Sequence, residues 1–200
     1  MKSTMKASVC AVALAGLVAV AGCSNKMAGD HMATTTEKTV TVGGAPMYPS
    51  KTIVENAVNS ADHTTLVAAV KAAGLVDTLN SPGPFTVFAP TNAAFDKLPP
   101  GTVDTLVMPK NKKLLTSILT YHVVPGRYDS AALQGLITQG GGWAKLPTAD
   151  GKHMLTVKPA MDGGIEVVDE KGGVSMVTIA DVYQSNGVIH VVDTVLMPKK

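Results

Sequence analysis

The sequence predicts an α+β fold, and the order of its apolar patterns carries that prediction. Before residue 125 the apolar residues recur at helical spacing, whereas after it short apolar runs alternate with glycine-rich turns. Between the helices lies an apolar run, 85–89, which Pro90 stops and a helix follows directly. Helices that precede strands along the chain are typical of an α+β domain.

The first 47 residues are predicted to lie outside the folded domain. Lys2 and Lys6 precede an apolar run, 7–21, that is too short to span a bilayer and is typical of a secretory signal. The run ends in Val-Ala-Gly-Cys, which resembles the lipobox of bacterial lipoproteins, so we expect residues 1–22 to be removed and Cys23 to carry lipid. Residues 23–47 are polar and small and are interpreted as a flexible tether with a reach of about 25–30 Å.

Removal of the signal also decides the cysteine chemistry and the charge. Cys10 would be lost and Cys23 would be lipidated, so no disulfide is expected. The loss of Lys2 and Lys6 leaves 15 basic side chains against 15 acidic ones, with no basic stripe that would indicate a nucleic-acid partner. The residue that follows Cys23 is Ser24, and an aspartate at this position would resemble an inner-membrane retention signal. We therefore expect a location in the periplasm or at the cell surface, with the outer membrane favoured if two membranes are present.

Three amphipathic helices are predicted in the first half of the domain. The first begins near Ile53, the second is capped by Thr64 or Thr65 and stops at Gly74, and the third spans 112–122. The residues predicted to face the core share one stripe on each of the later two helices: Leu66, Ala69, Val70, Ala73, Leu114, Leu115, Ile118, Leu119 and His122.

Four strands are predicted in the second half, at 155–158, 165–169, 174–182 and 188–192. Glycine pairs separate the first three. Asn186-Gly187 separates the last two and is a strong hairpin signal, with both residues expected at positive φ. One further segment, 82–98, contains all three phenylalanines, so we expect it to lie at the centre of the core, with Thr91 or Asn92 capping the helix that follows.

Three motifs together resemble the fasciclin domain. Residues 86–95 read TVFAPTNAAF and resemble its first signature box, residues 185–193 read SNGVIHVVD and resemble its second, and Tyr121-His122 stands where the family's Tyr-His pair falls. The resemblance covers residues 48–200 and implies a single wedge of mostly antiparallel strands with helices packed against it. It implies adhesion or protein binding rather than catalysis. The motif residues that it identifies are Thr86, Phe88, Pro90, Thr91, Asn92, Phe95, Asn186, Gly187, His190 and Asp193.

No motif for catalysis, a cofactor or a metal is found in the sequence, so we predict a protein that is not an enzyme and has no cofactor. The glycine run 140–142 lacks the lysine and hydroxyl of a phosphate loop and is interpreted as a flexible loop. His122 and His190 share apolar stripes and are predicted to be buried, hydrogen-bonded core residues. A hydrolase is the catalytic alternative, and it would need a histidine and an acidic residue that converge on a serine or cysteine. Four residues of the tether admit a soft-metal interpretation, although ordinary linker composition is favoured: Met27, His31, Met32 and Met47.

The candidate contacts for a protein, matrix or cell-surface partner are aromatic. The single tryptophan, Trp143, lies among small residues and is either a lid on the core or an exposed contact. The segment 127–146, with Tyr128 and Trp143, is predicted to form the contact surface outside the regular strands. Tyr121 and His122 are candidates only through the resemblance, since animal members of the family use this pair in receptor adhesion, and the apolar stripe argues against it. A glycan-binding envelope protein is the alternative, and it would show exposed aromatic residues beyond Trp143.

Overall fold

The computed structural model of the chain describes residues 39–199. The predicted signal segment, Cys23 and most of the predicted tether lie outside these residues. Two short 3₁₀ turns, Ala61–His63 and Pro109–Asn111, accompany seven helices and nine strands in the described part. In chain order these are β1 (Val40–Val42), β2 (Ala45–Met47), α1 (Ile53–Ala57), α2 (Thr64–Ala73), α3 (Val76–Asn80), β3 (Phe85–Pro90), α4 (Asn92–Asp96), α5 (Thr102–Val107), α6 (Lys112–Tyr121), β4 (Val123–Pro125), α7 (Ser130–Gln139), β5 (Ala144–Pro147), β6 (Met154–Pro159), β7 (Ile165–Val168), β8 (Val174–Gln184) and β9 (Gly187–Val192).

Seven strands form one sheet in the order β4-β3-β9-β8-β7-β6-β5. Only β3 and β9 pair in parallel, with Phe85 opposite Gly187 and Pro90 opposite Val192, and the other neighbours are antiparallel. The α+β prediction is confirmed, and β6 to β9 match the four predicted strands to within about two residues at each end, the usual scatter of such boundaries.

Strand β3, which is second from one edge of the sheet, contributes to two hydrophobic cores. Val87 and Ala89 point into a core formed mainly by α1 to α6, which we call the helical core. Phe88, on the opposite side of the strand, points into a core formed by α7 and β5 to β7, which we call the strand core. Successive side chains of a strand point to opposite faces, so one strand contributes to both cores.

The folded part begins earlier than the predicted boundary at residue 48. β1 and β2 pair as a hairpin in which Val42 lies opposite Ala45, and the two-residue turn between them is Gly43-Gly44. Both glycines have positive φ, as this tight turn requires. Met47, one of the four residues for which a soft-metal interpretation was the less favoured alternative, is buried in the helical core.

The segment 127–146, which was predicted to lie outside the regular strands, contains a helix, α7, and the first three residues of strand β5. The side chain of Asp129 caps it by accepting a hydrogen bond from the N–H of Ala132, and Leu133 and Ile137 lie four residues apart on its buried face. The glycine run 140–142 ends this helix with backbone hydrogen bonds to carbonyls of its last turn, such as Gly142 N–H to Ile137 O. The run 140–142 is therefore a hydrogen-bonded helix end, and the prediction of a flexible loop is wrong.

The hairpin between β8 and β9 differs from the prediction in its register. Gln184 pairs with Gly187, so the two turn residues are Ser185 and Asn186 rather than Asn186 and Gly187. Gly187 has a different reason to be glycine: a Cβ there would lie 2.1 Å from the carbonyl oxygen of Phe85 on the neighbouring strand β3.

The helix caps are correct for α4 and wrong for α2. Thr91 caps α4, since its hydroxyl accepts a hydrogen bond from the N–H of Ala94. At α2 neither predicted threonine caps with its own side chain. Instead Asn92 Oδ1 accepts from the N–H of Thr65 and from the hydroxyl of Thr64, at 3.0 and 3.2 Å, so the start of α4 caps the start of α2.

Candidate partner-binding surface

His122 is buried and cannot present its ring to a partner. Its ring donates from Nδ1 to the carbonyl of Ile118 at 2.8 Å, and its Nε2 accepts from the N–H of Leu196 at 3.0 Å. Burial lowers the pKa of His122 to about 4, so the ring is neutral at pH 7, as an accepting Nε2 requires. His122 is therefore a buried core residue, as its apolar stripe predicted. It is not the surface contact that the resemblance suggested.

Tyr121 is also buried, with 0% of its surface exposed. Its hydroxyl accepts a hydrogen bond from the N–H of Glu170 at 3.0 Å and donates one to the carbonyl of Met154 at 3.3 Å. Burial raises the pKa of this hydroxyl to about 12, which keeps it a neutral donor. Tyr121 ties α6 to the strand half of the domain and is not a surface contact.

Two motif residues hold the backbone of the segment after β4. Thr86 Oγ1 donates to the carbonyl of Gly126 and accepts from the N–H of Tyr128, both at 2.8 Å. His190 Nε2 donates to the carbonyl of Tyr128, also at 2.8 Å. Thr86 and His190 are each 0% exposed and belong to the parallel strands β3 and β9. The two signature boxes therefore meet to fix residues 126–128, and we call this arrangement the backbone clamp.

The backbone clamp presents an exposed arginine, Arg127, beside the ring of Tyr183. Arg127 is exposed, and its guanidinium lies 5.0 Å from the ring centroid of Tyr183, a cation–π distance. The Tyr183 hydroxyl is 3.4 Å from Asp129 Oδ2, and Tyr128 packs half-buried against the strand core. Tyrosine and arginine are enriched among residues that dominate binding energy. We name Arg127, Tyr128 and Tyr183 the Arg127 surface.

The predicted contact segment 127–146 contains Arg127 and Tyr128 but not Tyr183. The available signal was the alternation along β8, where Val182 and Gln184 are buried and Tyr183 between them is not. The segment is also held from β8 by Asp181, whose carboxylate accepts from the N–H and hydroxyl of Ser130 at 2.6 and 2.5 Å.

Trp143 is an exposed contact candidate rather than a lid, since half of its surface, 50%, is accessible. The ammonium of Lys145 lies 5.6 Å from its ring centroid. Trp143 follows the C-terminal end of α7, whereas Tyr128 precedes its N-terminal end, and ten helical residues span about 15 Å. The structure therefore does not bring Tyr128 and Trp143 together, and they belong to two separate surfaces.

The remaining motif residues stabilise the fold. Asn186 is buried; its Oδ1 accepts from the N–H of Ile53 at 3.0 Å, and its Nδ2 donates to the carbonyls of Leu79 and Ser81. It thereby ties α1 and the end of α3 to the β8–β9 hairpin. Three more motif residues act similarly: Phe95 lies in the helical core, Pro90 ends β3, and Asp193 accepts from Lys97 Nζ and Met176 N–H.

The hydrolase alternative requires a histidine between an acid and a nucleophile. His153 Nδ1 is 2.5 Å from Asp150 Oδ2, and this hydrogen bond raises the pKa of His153. Burial alone would raise the pKa of Asp150, but hydrogen bonds from Lys152, His153 and Thr148 lower it to about 2. His153 Nε2, however, contacts the carbonyl of Lys199 at 3.0 Å, not a hydroxyl or thiol.

Two serines each contact one of the two groups that a catalytic triad needs, but neither serine has both. Ser130 donates directly to Asp181 with no imidazole between them. Ser60 Oγ contacts His63 Nδ1 at 2.9 Å, but the other ring nitrogen of His63 contacts no carboxylate. Neither pair has the three-group order that activates a nucleophile.

A cleft of about 790 Å³ lies beside His153, lined by residues of α5, α6 and the C-terminal segment. Leu114, which the helical pattern assigned to the core, is 43% exposed and lines this cleft. Within residues 39–199 no three His, Cys, Asp or Glu side chains are grouped to hold a metal ion. None of the helices in that range has the length and apolar character needed to span a bilayer.

Comparison with known proteins agrees with this fold. The family model for the fasciclin domain matches residues 61–198. Protein sll1483 of Synechocystis is 48% identical over 165 residues, which are 82% of this chain and 83% of that protein. Immunogenic protein MPB70 of Mycobacterium bovis is 42% identical over 147 residues, 71% of this chain and 66% of that protein.

A cell surface glycolipoprotein of Mycobacterium bovis, MPB83, is 43% identical over 124 residues, 62% of this chain and 48% of that protein. Among solved structures, the FAS1 domain pair of the insect cell adhesion molecule Fasciclin I superposes with a TM-score of 0.67 at 23% identity, over 75% of this chain and 52% of that chain. The fasciclin-domain model matches residues 61–198, and the Synechocystis protein is 48% identical over most of both chains. The two signature boxes of the backbone clamp and the seven-stranded sheet agree with this match. The chain therefore belongs to the fasciclin family.

Proposed function

We propose that this chain is a lipid-anchored adhesion module of the bacterial envelope that binds a protein partner through the Arg127 surface and has no catalytic role. Membership of a family known from adhesion and surface proteins supports the general function. The name of the mycobacterial relative, a cell surface glycolipoprotein, supports a surface location with lipid attached. The lipobox-like sequence before Cys23 supports the anchor.

The backbone clamp is the observation that carries the proposed binding site. Its three hydrogen bonds, each 2.8 Å long, are made by buried side chains of β3 and β9, so residues 126–128 are held by two paired strands inside the sheet. A surface that is already ordered loses less conformational entropy when it binds. Arg127 is the exposed side chain that this ordered backbone presents to a partner.

The exposed aromatic residues favour a protein partner over a glycan. Besides Trp143, Tyr48 is the other aromatic residue in the described part with more than a third of its surface exposed. Lysine ammonium groups lie over both rings, Lys51 at 5.0 Å from Tyr48 and Lys145 at 5.6 Å from Trp143. Sugars stack on open aromatic faces, and here one face of each ring has a lysine ammonium over it.

The binding site is tested by Arg127→Ala, with Lys113→Ala as the matched control because Lys113 is exposed and lies on α6. A partner captured from envelope extract should bind the Arg127→Ala protein about tenfold or more weakly, since arginine contacts are frequent hot spots. Trp143→Ala should cause a smaller loss. All three circular dichroism spectra should match the wild type.

Equal affinities of the Arg127→Ala and Lys113→Ala proteins would show that the Arg127 surface is not the contact. Loss of binding after enzymatic removal of glycans from the partner would support the glycan alternative instead. Turnover of an ester, peptide or glycoside by the purified protein would overturn the non-catalytic proposal.

The anchor is tested separately with Cys23→Ala. Because thioether attachment of lipid requires the thiol of Cys23, the variant should leave the membrane fraction and appear in the soluble fraction. Identical partitioning of wild type and variant into detergent would contradict lipid attachment.

A further inference from the structure

The cleft beside His153 has an apolar lining that helices and the C-terminal segment supply. Leu106 on α5 and Ile118 on α6 are buried side chains that line it, and Met197 lines it as well. Leu114 on α6 also lines it and leaves 43% of its surface exposed. The volume of the cleft, about 790 Å³, lies within the roughly 300–1,000 Å³ of small-molecule sites in proteins. The cleft therefore offers both room and apolar contacts to a small molecule.

Three lysines give the same cleft a positive charge. Lys152 follows β5, Lys171 follows β7 and Lys199 belongs to the C-terminal segment, and all three are exposed and line the cleft. Among the described residues, no aspartate or glutamate lines it. Within residues 39–199 none of these three ammonium groups forms an ion pair. The lysines are therefore available to an anionic group of a ligand.

The two acidic side chains beside the cleft contact other groups. Asp150 Oδ1 accepts from the N–H of Lys152 at 2.9 Å, and Asp150 Oδ2 contacts the ring of His153. Glu170 Oε2 accepts from the N–H of Lys199 at 3.4 Å and lies 3.8 Å from His153 Nε2. These carboxylates balance the charge that His153 carries when it is protonated. The positive charge of the lining therefore comes from the lysines.

The apolar lining and the lysines favour a ligand that uses both. An ion pair at an exposed lysine contributes little, so a small anion without an apolar group would bind weakly. Burial of apolar surface contributes more, but it does not select the charge of the ligand. A molecule with an apolar chain and an anionic head group gains affinity from the first feature and selectivity from the second.

We propose that this cleft binds a single-chain anionic amphiphile of the fatty-acid class. The chain lies against Leu114 and Ile118, and the carboxylate lies among Lys152, Lys171 and Lys199. The charge complementarity of the lining carries this choice of occupant. The site is separate from the surface proposed for a protein partner, so either proposal can fail without the other.

The test uses the full-length chain with Cys23→Ala, so that no acyl chain at Cys23 competes with the probes. Decanoate, decanol and decyltrimethylammonium share one decyl chain and differ in the charge of the head group. Each is titrated below its micelle concentration, and binding is followed by the methyl NMR signals of Leu106, Leu114, Ile118 and Met197. Decanoate should bind about threefold to tenfold more tightly than decanol, the range expected for two or three exposed ion pairs. Decyltrimethylammonium should bind most weakly. Octanoate should bind about fourfold or more weakly than decanoate, because it buries fewer methylene groups.

Two pairs of variants separate the lysines from the apolar lining. The double variant Lys152→Gln and Lys171→Gln should remove most of the preference for decanoate over decanol. Lys71→Gln is its control, since Lys71 is exposed on α2 and does not line the cleft. Leu114→Ser should weaken decanoate and decanol alike, and Val58→Ser is its control, since Val58 is 48% exposed and does not line the cleft. All these side chains are exposed, so the fold should be retained.

Four outcomes would overturn the proposal. Decanoate that leaves the lining methyl signals unshifted would exclude the site, and equal affinities of the three decyl probes would exclude the role of the lysines. Equal behaviour of the Leu114→Ser and Val58→Ser proteins would place the chain elsewhere. Hexaglutamate, an acidic peptide without an apolar chain, should leave the signals unchanged. If hexaglutamate bound as tightly as decanoate, the occupant would be an acidic protein segment and not an amphiphile.

Discussion

The two cores on either side of β3 are filled differently. The strand core receives Phe88, and many of the largest completely buried side chains of the domain belong to it, including Tyr121, Leu133 and Leu155. The helical core receives Val87 and Ala89 from the same strand and contains a cavity of about 90 Å³ beside His63. Phe88 thus adds a large side chain to a core of large buried residues, whereas Val87 and Ala89 add smaller ones to the core that contains the cavity.

The largest effect should come from truncating the dense core. Phe88→Ala should lower the free energy of unfolding by about 3–5 kcal/mol, because the site is closely surrounded and cannot collapse around the space left behind. Phe95→Ala, in the helical core, should fall at the lower end of that range. Urea denaturation measures both, and a larger loss for Phe95→Ala would contradict the difference in packing.

Acid should destabilise the domain through its buried histidines. The pKa of His122 is lowered from 6.5 to about 4 by burial, so the unfolded chain binds a proton more readily and stability falls as the pH drops below about 6.5. The loss from this residue alone should reach about 3 kcal/mol by pH 4. Burial also lowers the pKa values of His63 and His190, which adds to the trend in the same direction.

Urea titrations between pH 7 and pH 4 measure this effect, with His122→Gln as the comparison. The glutamine amide can donate and accept but does not titrate, so the slope against pH should be shallower. The same slope in both proteins would show that His122 is not the acid-sensitive group.

Asn186→Ala should cost about 2 kcal/mol, because it leaves the buried N–H of Ile53 without its acceptor. This change weakens the attachment of α1 and α3, so it should affect the helical core and leave the strand core protected against hydrogen exchange. Asn59→Ala is the control, since Asn59 is exposed. Equal losses in the two variants would contradict the proposed attachment.

The smallest effect should be a gain. Val67→Phe should raise the free energy of unfolding by about 0.5–1 kcal/mol, the usual benefit of filling a cavity, because Val67 lines the cavity of the helical core. A thermal melt compared with Val58→Phe measures it, since Val58 is exposed and does not line the cavity. Destabilisation by Val67→Phe would mean that the space beside α2 is too small to accept a ring.

The sequence was sufficient for the fold class and for β6 to β9, because alternating apolar residues separated by glycine turns leave few other structures. It was also sufficient for the core position of His122, whose helical neighbours Ile118 and Leu119 are apolar. It failed at α7, where Gly135 and the run 140–142 masked the four-residue spacing of Leu133 and Ile137. The hairpin 40–47 was missed because the polar composition before it suggested a linker.

The candidate site was only partly predictable for a different reason. Arg127 and Tyr128 lie in the predicted segment, but the backbone clamp depends on the parallel pairing of β3 with β9, and no local pattern encodes that pairing. The contact of Arg127 with Tyr183 and the cap that Asn92 supplies to α2 are likewise made between distant parts of the chain. Local spacing predicts elements, and such contacts appear only when the elements are assembled.

The parallel pairing of β3 with β9 has a consequence for the order of folding. Its two strands are about a hundred residues apart, and Asn186 reaches an N–H that lies 133 positions earlier in the chain. At a synthesis rate of about 5–20 residues per second, β9 is synthesised roughly 5–20 s after β3. Throughout that interval β3, which contributes to both cores, lacks its parallel neighbour β9. Such a topology favours a nascent chain whose two cores are completed only late in synthesis.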